Sequence, residues 1–156
     1  MIKLLRVDHR LIHGQVAFAW TSYLGADCIL VANDEVVNNS LHMTTLKLAK
    51  PANVKLVVKN IDDSIQAINS GVTDKYILFI VVSNIKDAQR LSKGCSKIKQ
   101  VNLGGVKARE NTRQISSAVS VTDEEIDMIR DMINFGIEVE IRQTPTQKKV
   151  LAQQLV

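Results

Sequence analysis

Short apolar runs alternate with longer amphipathic stretches along this chain, and this alternation predicts its secondary structure. The run at residues 76–82, YILFIVV, is wholly apolar, which is typical of a central strand buried on both faces. Other stretches place apolar residues three or four positions apart, as at Ile61, Ile65 and Ile68, which is the spacing of one helix face. The predicted strands are residues 2–7, 27–32, 54–59, 76–82, 98–103, 137–142 and the loosely alternating residues 114–121.

Capping and helix-breaking residues indicate where the helices begin and end. Thr122 precedes an acidic first turn, which favours a helix N-terminus, and Gly136 ends the same helix. Pro51 stops an earlier helix. The predicted helices are residues 14–24, 40–50, 61–70, 84–93, 123–135 and 146–155. Strands that alternate with helices pair in parallel, so we expect a single α/β domain over residues 1–156, an open sheet with helices on both faces.

Composition excludes several classes of function. Hydrophobic residues make up 46% of the 156 residues, which is enough for a core without disulfides or metal. The net charge of +4 comes with scattered lysines and only 4% aromatic residues, which disfavours nucleic-acid binding. Cys28 and Cys95 have no spacing typical of a zinc site or a disulfide framework. Because no apolar run approaches the roughly 20 residues of a membrane span, we expect a soluble protein that reaches membranes only through partners.

The densest group of reactive side chains follows the first predicted strand. Residues 8–15, DHRLIHGQ, place a carboxylate, a guanidinium and two imidazoles directly before a helix. Ligands bind beyond the carboxyl ends of strands in open parallel sheets. The unpaired amides at the helix start, near His13, Gly14 and Gln15, could bind an anion.

The side chains of this segment suit phosphoryl chemistry. Histidine is a competent nucleophile near neutral pH, so His13 could accept the group, and Arg10 could hold phosphate oxygens in a bidentate grip. Asp8 could orient Arg10 or an imidazole. Each residue alone also has an ordinary explanation, because loop histidines are often solvated and an aspartate beside an arginine is often a surface ion pair.

Residues 6–16, RVDHRLIHGQV, closely resemble the active-site signature of the mannose/fructose/sorbose family of phosphotransferase-system IIB components. His9 occupies a position that varies in the family, and Trp20 in the following helix also fits. Further segments look similar to the family along most of the chain: Asn33-Asp34, Gly104-Gly105, Thr122 to Glu125, Arg142 and Pro145.

The resemblance implies an enzyme, a protein-phosphohistidine–sugar phosphotransferase without metal or cofactor. His13 would carry the phosphoryl group on Nδ1, Asp8 and Arg10 would form the active-site pair, and Arg6 would join Gly14 and Gln15 at the phosphate. The donor would be a IIA protein, and the acceptor a sugar carried by membrane components IIC and IID, with the chain on the cytoplasmic face. The implied sheet is mostly parallel with one antiparallel strand, which we expect among the last strands.

Two other hypotheses stay open at this point. A phosphatase with a histidine nucleophile would explain Ile12-His13-Gly14, although the adjacent arginine and a second downstream histidine site are missing. A regulatory module could bind phosphate without turnover. The sequence is compatible with a monomer and with a homodimer, and it assigns no residue to a sugar.

Overall fold

The secondary structure alternates strands and helices in the computed structural model, which describes residues 1–156. The strands are β1 (Ile2–Asp8), β2 (Cys28–Ala32), β3 (Lys55–Lys59), β4 (Leu78–Val82), β5 (Gln100–Gly105), β6 (Arg113–Ser116), β7 (Val119–Val121), β8 (Glu138–Ile141) and β9 (Val150–Leu151). The α-helices are α1 (Gly14–Leu24), α2 (Ser40–Ala49), α3 (Ile61–Ser70), α4 (Ile85–Gly94) and α5 (Asp123–Asn134). Short 3-10 turns cover Val36–Asn38 and Ala152–Gln154.

Seven of the strands form one sheet in the order β3-β2-β4-β1-β5-β8-β9. All neighbours in it are parallel except β8 and β9, which are antiparallel. β6 and β7 form a separate antiparallel pair. The predicted fold class is confirmed, including the antiparallel strand near the C-terminus.

Two predicted elements are wrong. Residues 114–121 do not form one strand, because a turn at Ser117 and Ala118 folds them into the β6–β7 pair. Residues 146–155 do not form a helix: Val150 and Leu151 pair with β8, and only one 3-10 turn follows. The apolar residues at 150–152 are consecutive, a pattern that suits an edge strand better than a helix face.

The sheet carries a hydrophobic core on each face. Alternate strand residues such as Leu4 and Phe79 point to the side covered by α1 and α2, where Trp20 and Leu46 are fully or nearly fully buried. The other side is covered by α3, α4 and α5. This confirms helices on both faces. No helix here combines the length and the apolar character that crossing a membrane requires.

A polar row interrupts the core on the α1 side of the sheet. Arg6 on β1 is in register with Asn102 on β5, which is in register with Glu140 on β8. All three residues are buried. Asp8 lies two residues beyond Arg6 on the same strand, and side chains at i and i+2 share one face of a sheet. The end of β1 therefore brings buried charges beneath the start of α1.

Candidate active site

The loop from β1 to α1 is fixed by its own backbone and by two apolar anchors. The Leu11 amide donates to the carbonyl of Asp8 at 2.8 Å, which closes a turn. The side chains of Leu11 and Ile12 are buried in the core beneath α1. Leu11 has a φ of 59°, an uncommon value for a branched side chain, and Gly14 has a φ of 45°, which glycine adopts without strain. The loop is therefore held in one defined shape.

The Asp8 carboxylate is the centre of the site. It is fully buried and accepts hydrogen bonds from Arg6 Nη2 at 3.0 Å, the Arg10 amide at 3.0 Å and His13 Nε2 at 3.3 Å. Burial by itself would raise the pKa of Asp8, but the Arg10 amide and the charges of Arg6 and Arg10, joined by that of His13 when its ring is protonated, outweigh it and hold that pKa below its usual value. The carboxyl group is therefore ionised near neutral pH.

This ionised carboxylate determines how the His13 ring is oriented. An ionised carboxylate can only accept hydrogen bonds, so the contact at 3.3 Å assigns the proton of neutral His13 to Nε2. Nδ1 then carries the lone pair. It has no hydrogen-bond partner and is not among the buried polar atoms that lack one, so it reaches solvent. The His13 side chain is 26% exposed. His13 therefore presents a fixed nucleophilic nitrogen at the surface.

The start of α1 leaves backbone donors beside this nitrogen. His13 is the N-cap residue, its side chain does not cap the helix, and the first turn holds no acidic residue. The first helical hydrogen bond runs from the Ala17 amide to the His13 carbonyl, so the amides of Gly14, Gln15 and Val16 have no protein acceptor. Such amides, with the positive end of the helix dipole, favour an anion.

The two arginines of the segment have different surroundings. The Arg10 side chain is 44% exposed, and its Nε lies 3.5 Å from Asp8 Oδ1. Arg10 and Lys107 also line an open polar cleft of about 590 Å³. Arg6 is only 3% exposed, and its terminal nitrogens already donate to protein acceptors. The geometry thus favours Arg10 as the cation available to a phosphate, and a phosphate contact by Arg6 stays a prediction.

Two residues of the site were not assigned a role from the sequence. Asn102 Oδ1 accepts from Arg6 Nη1 at 2.8 Å. Gly104 provides the space for Arg6, because a side-chain carbon at this position would overlap the guanidinium. Only the Gly104-Gly105 pair had a signal in the sequence, through its similarity to a family. The pairing of β5 with β1, which brings both residues here, is not readable from local pattern.

The remaining histidines make no hydrogen bond to the Asp8 carboxylate. His9 is the first residue of the β1–α1 loop and is partly buried, and its Nδ1 has no hydrogen-bond partner. His42 is on α2, and it lines a cavity of about 200 Å³ together with His9, which also lines the cleft beside Arg10 and Lys107. No group of three or more His, Cys, Asp or Glu side chains is arranged to hold a metal ion.

Comparison with known proteins gives matches over almost the whole chain. The family described as the sorbose-subfamily IIB component of the phosphotransferase system matches residues 2–156. A probable phosphotransferase enzyme IIB component of Streptococcus pyogenes is 37% identical, with 100% of this chain and 99% of that protein covered. The mannose-specific EIIAB component of Escherichia coli K12 is 33% identical over 100% of this chain, which spans 48% of that longer protein. The crystal structure of the IIB domain of the sorbose permease from Klebsiella pneumoniae superposes with a TM-score of 0.91 at 27% identity, covering 96% of this chain and 92% of that domain.

Proposed function

Because this chain belongs to the sorbose subfamily of IIB components of the phosphotransferase system, we propose that it carries a phosphoryl group on Nδ1 of His13. IIB components accept a phosphoryl group from a IIA protein and pass it to a sugar. The chain would thus act as a protein-phosphohistidine–sugar phosphotransferase. The observation that supports His13 is its orientation: Nε2 is held by the buried Asp8 carboxylate, while Nδ1 reaches solvent beside the free amides of α1.

The first half-reaction uses the Nδ1 lone pair. It forms a bond to phosphorus while the P–N bond of the phosphohistidine on IIA breaks, and that electron pair stays on the donor imidazole. The Asp8 carboxylate makes His13 a stronger nucleophile by accepting a hydrogen bond from Nε2–H. Arg10 and the amides of Gly14 and Gln15 stabilise the charge on the transferred oxygens.

The second half-reaction reverses the roles at the same nitrogen. A sugar hydroxyl oxygen attacks phosphorus and releases its proton to solvent water, the P–Nδ1 bond breaks, and the electron pair of that bond returns to Nδ1 of His13. The Nε2–H bond to Asp8 keeps the departing ring in its starting tautomer. No group has to move within the loop, so the same preorganised donors serve both transfers.

The partners follow from the family and from one relative. The E. coli relative is an EIIAB component, which combines A and B components in one protein, and this chain spans 48% of its length. We infer that a IIA protein is the donor, that the sugar reaches the chain through membrane components IIC and IID, and that the chain works at the cytoplasmic face. The basic side chains of Arg10 and Lys107 beside the cleft favour the approach of a phosphorylated donor.

The assignment of His13 is tested by labelling single variants with phosphorylated IIA. His9→Ala and His42→Ala should take up one acid-labile, alkali-stable phosphoryl group per chain, as the wild type does, whereas His13→Ala should take up none. Full labelling of His13→Ala would disprove the assignment. Steady release of inorganic phosphate without a sugar would instead indicate a hydrolase, because a carrier retains the group until an acceptor arrives.

A further inference from the structure

We propose that Asn102 and Gly104 on β5 are positioning residues for phosphoryl transfer, because they hold Arg6 against Asp8 and thereby orient His13. The proposal rests on the role of His13 given above, and it extends the site to a strand that is distant in sequence. Neither residue lies in the signature loop, and neither forms a hydrogen bond with the His13 ring. Their effect passes through Arg6 and then through Asp8.

Asn102 fixes the position of the Arg6 guanidinium, the first step in this series of contacts. It is fully buried, it lies in register with Arg6, and its Oδ1 accepts from Arg6 Nη1 at 2.8 Å. Its Nδ2 donates to the Arg142 carbonyl at 3.0 Å. A guanidinium can only donate and a carbonyl can only accept, so the amide of Asn102 has one orientation that satisfies both neighbours. The guanidinium therefore meets a rigid acceptor.

Gly104 provides the space that the Arg6 guanidinium occupies. A side-chain carbon at this position would overlap Nη1, Cζ and Nη2 of Arg6. The backbone of Gly104 is not in the left-handed region, so its conformation does not itself require glycine. Glycine is required here because the Arg6 guanidinium occupies the space that a side chain would fill. Trp20 limits the same guanidinium from the helix side, with its ring centroid 5.3 Å from Arg6 Cζ.

One oxygen connects this support to the reacting ring. Asp8 Oδ2 accepts from Arg6 Nη2 at 3.0 Å and from His13 Nε2 at 3.3 Å. A shift of the Arg6 guanidinium therefore displaces Asp8 Oδ2, the oxygen that selects the tautomer of His13, or breaks its hydrogen bond with Arg6. Since the ring must present Nδ1 in line with phosphorus, a displacement of about 1 Å in such a support can slow a reaction by about 100-fold.

The test is a double-mutant cycle with a spectroscopic measurement. Gly104→Ala should slow labelling by phosphorylated IIA by about 10- to 100-fold, whereas it should add no more than about a twofold effect in an Arg6→Met background, where no guanidinium is present. The matched control is Gly94→Ala on α4, where the added carbon meets the side chain of Ile65 alone, at 3.1 Å from Cδ1 and 3.4 Å from Cγ1 and Cγ2. This control should label at the wild-type rate.

The tautomer of His13, read from its ¹⁵N chemical shifts without any partner protein, separates positioning from general destabilisation. The wild type and Gly94→Ala should show Nε2–H alone, whereas Gly104→Ala and Asn102→Ser should show a mixture. If Gly104→Ala does not fold, recovery of folding in the double variant with Arg6→Met supports the volume argument, and failure to recover contradicts it. Asn102→Ser then provides the kinetic test.

Two results would overturn the inference. One is an equal slowing by Gly104→Ala with and without Arg6, and the other is a wild-type tautomer and rate in both β5 variants. Either would leave His13 as the carrier if it still takes up the label. Failure of the proposed function would give a different result, because His13→Ala would then still be fully labelled.

Discussion

Replacing Asp8 by asparagine perturbs the site at its centre while keeping its size. The amide oxygen can still accept from the Arg10 amide, but an NH₂ group then replaces Oδ2 and faces two donors, Arg6 Nη2 and His13 Nε2. Arg6 becomes a buried cation whose only acceptors are neutral, namely Asn102 Oδ1 and the Arg142 carbonyl. The orientation of His13 is lost at the same time.

The expected cost follows from the burial of the pair. Removing one partner of a buried ion pair costs about 3–5 kcal/mol, and the two neutral acceptors of Arg6 favour the lower end, about 3 kcal/mol. For a domain of this size, about 1 kcal/mol corresponds to 2–4 °C in Tm, so the variant should melt roughly 6–12 °C below the wild type. Transfer from IIA and transfer to sugar should both fall by at least about tenfold, since Nε2 is no longer held.

The assay combines thermal unfolding with separate measurements of the two transfers in membranes that contain IIC and IID. Asp34→Asn is the matched control, because this carboxylate is 54% exposed and its pair with Arg90 at 3.2 Å should contribute less than about 1 kcal/mol. Wild-type melting of Asp8→Asn would show that Arg6 does not depend on Asp8. Wild-type rates in both directions would show that Asp8 neither orients His13 nor holds the loop.

Three further predictions use the charges and thiols described above. Because the pKa of folded Asp8 is lowered, its stabilising contribution is present above about pH 4 and is lost as the pH falls through the folded pKa. The difference in unfolding free energy between wild type and Asp8→Asn, measured by denaturant titration, should therefore shrink between pH 7 and about pH 3. A difference that stays constant over this range would contradict the prediction. Arg10→Lys should fold normally but transfer the phosphoryl group slowly, because lysine lacks the planar pair of N–H donors of the guanidinium. Arg10→Ala should lose transfer almost entirely. Wild-type labelling rates in Arg10→Ala would exclude a contact between Arg10 and phosphate. Burial raises the pKa of Cys95 to about 11 and raises that of Cys28 as well, so neither thiol should react with a disulfide reagent at about pH 8 until the chain unfolds, and rapid reaction of the native protein would refute this.

Local signals were enough to predict most of the fold. α1 begins and ends at the predicted residues, because its apolar residues have clear helical spacing and glycines, Gly14 and Gly25, lie at its two ends. Thr122 and Glu125 form the reciprocal cap that the acidic first turn of α5 favours. Of the two failures, residues 114–121 fold back on themselves into the β6–β7 pair, and β9 is two residues long and exists through its contact with β8. Such a strand has no pattern of its own to detect.

The site divides in the same way between local and distant information. Asp8, Arg10 and His13 lie within one loop, so the sequence brings them together by itself. The contact between Asp8 and His13 Nε2, which selects Nδ1, depends on the fold of the loop and was only one of several roles open to Asp8. Asn102 reaches Arg6 across 96 positions of sequence, through the β1–β5 register, and no local pattern carries that information.

The strand order also protects the molecule from self-association through its backbone. Edge strands expose unpaired amides and carbonyls that can template pairing with another chain, and β3 and β9 occupy the two edges here. β3 begins and ends with Lys55 and Lys59, so a second copy aligned against it would bring like charges together. β9 offers only two residues. Continuation of the sheet from one copy into the next is disfavoured at both edges, which leaves the helix surfaces as the more accessible faces for any second copy.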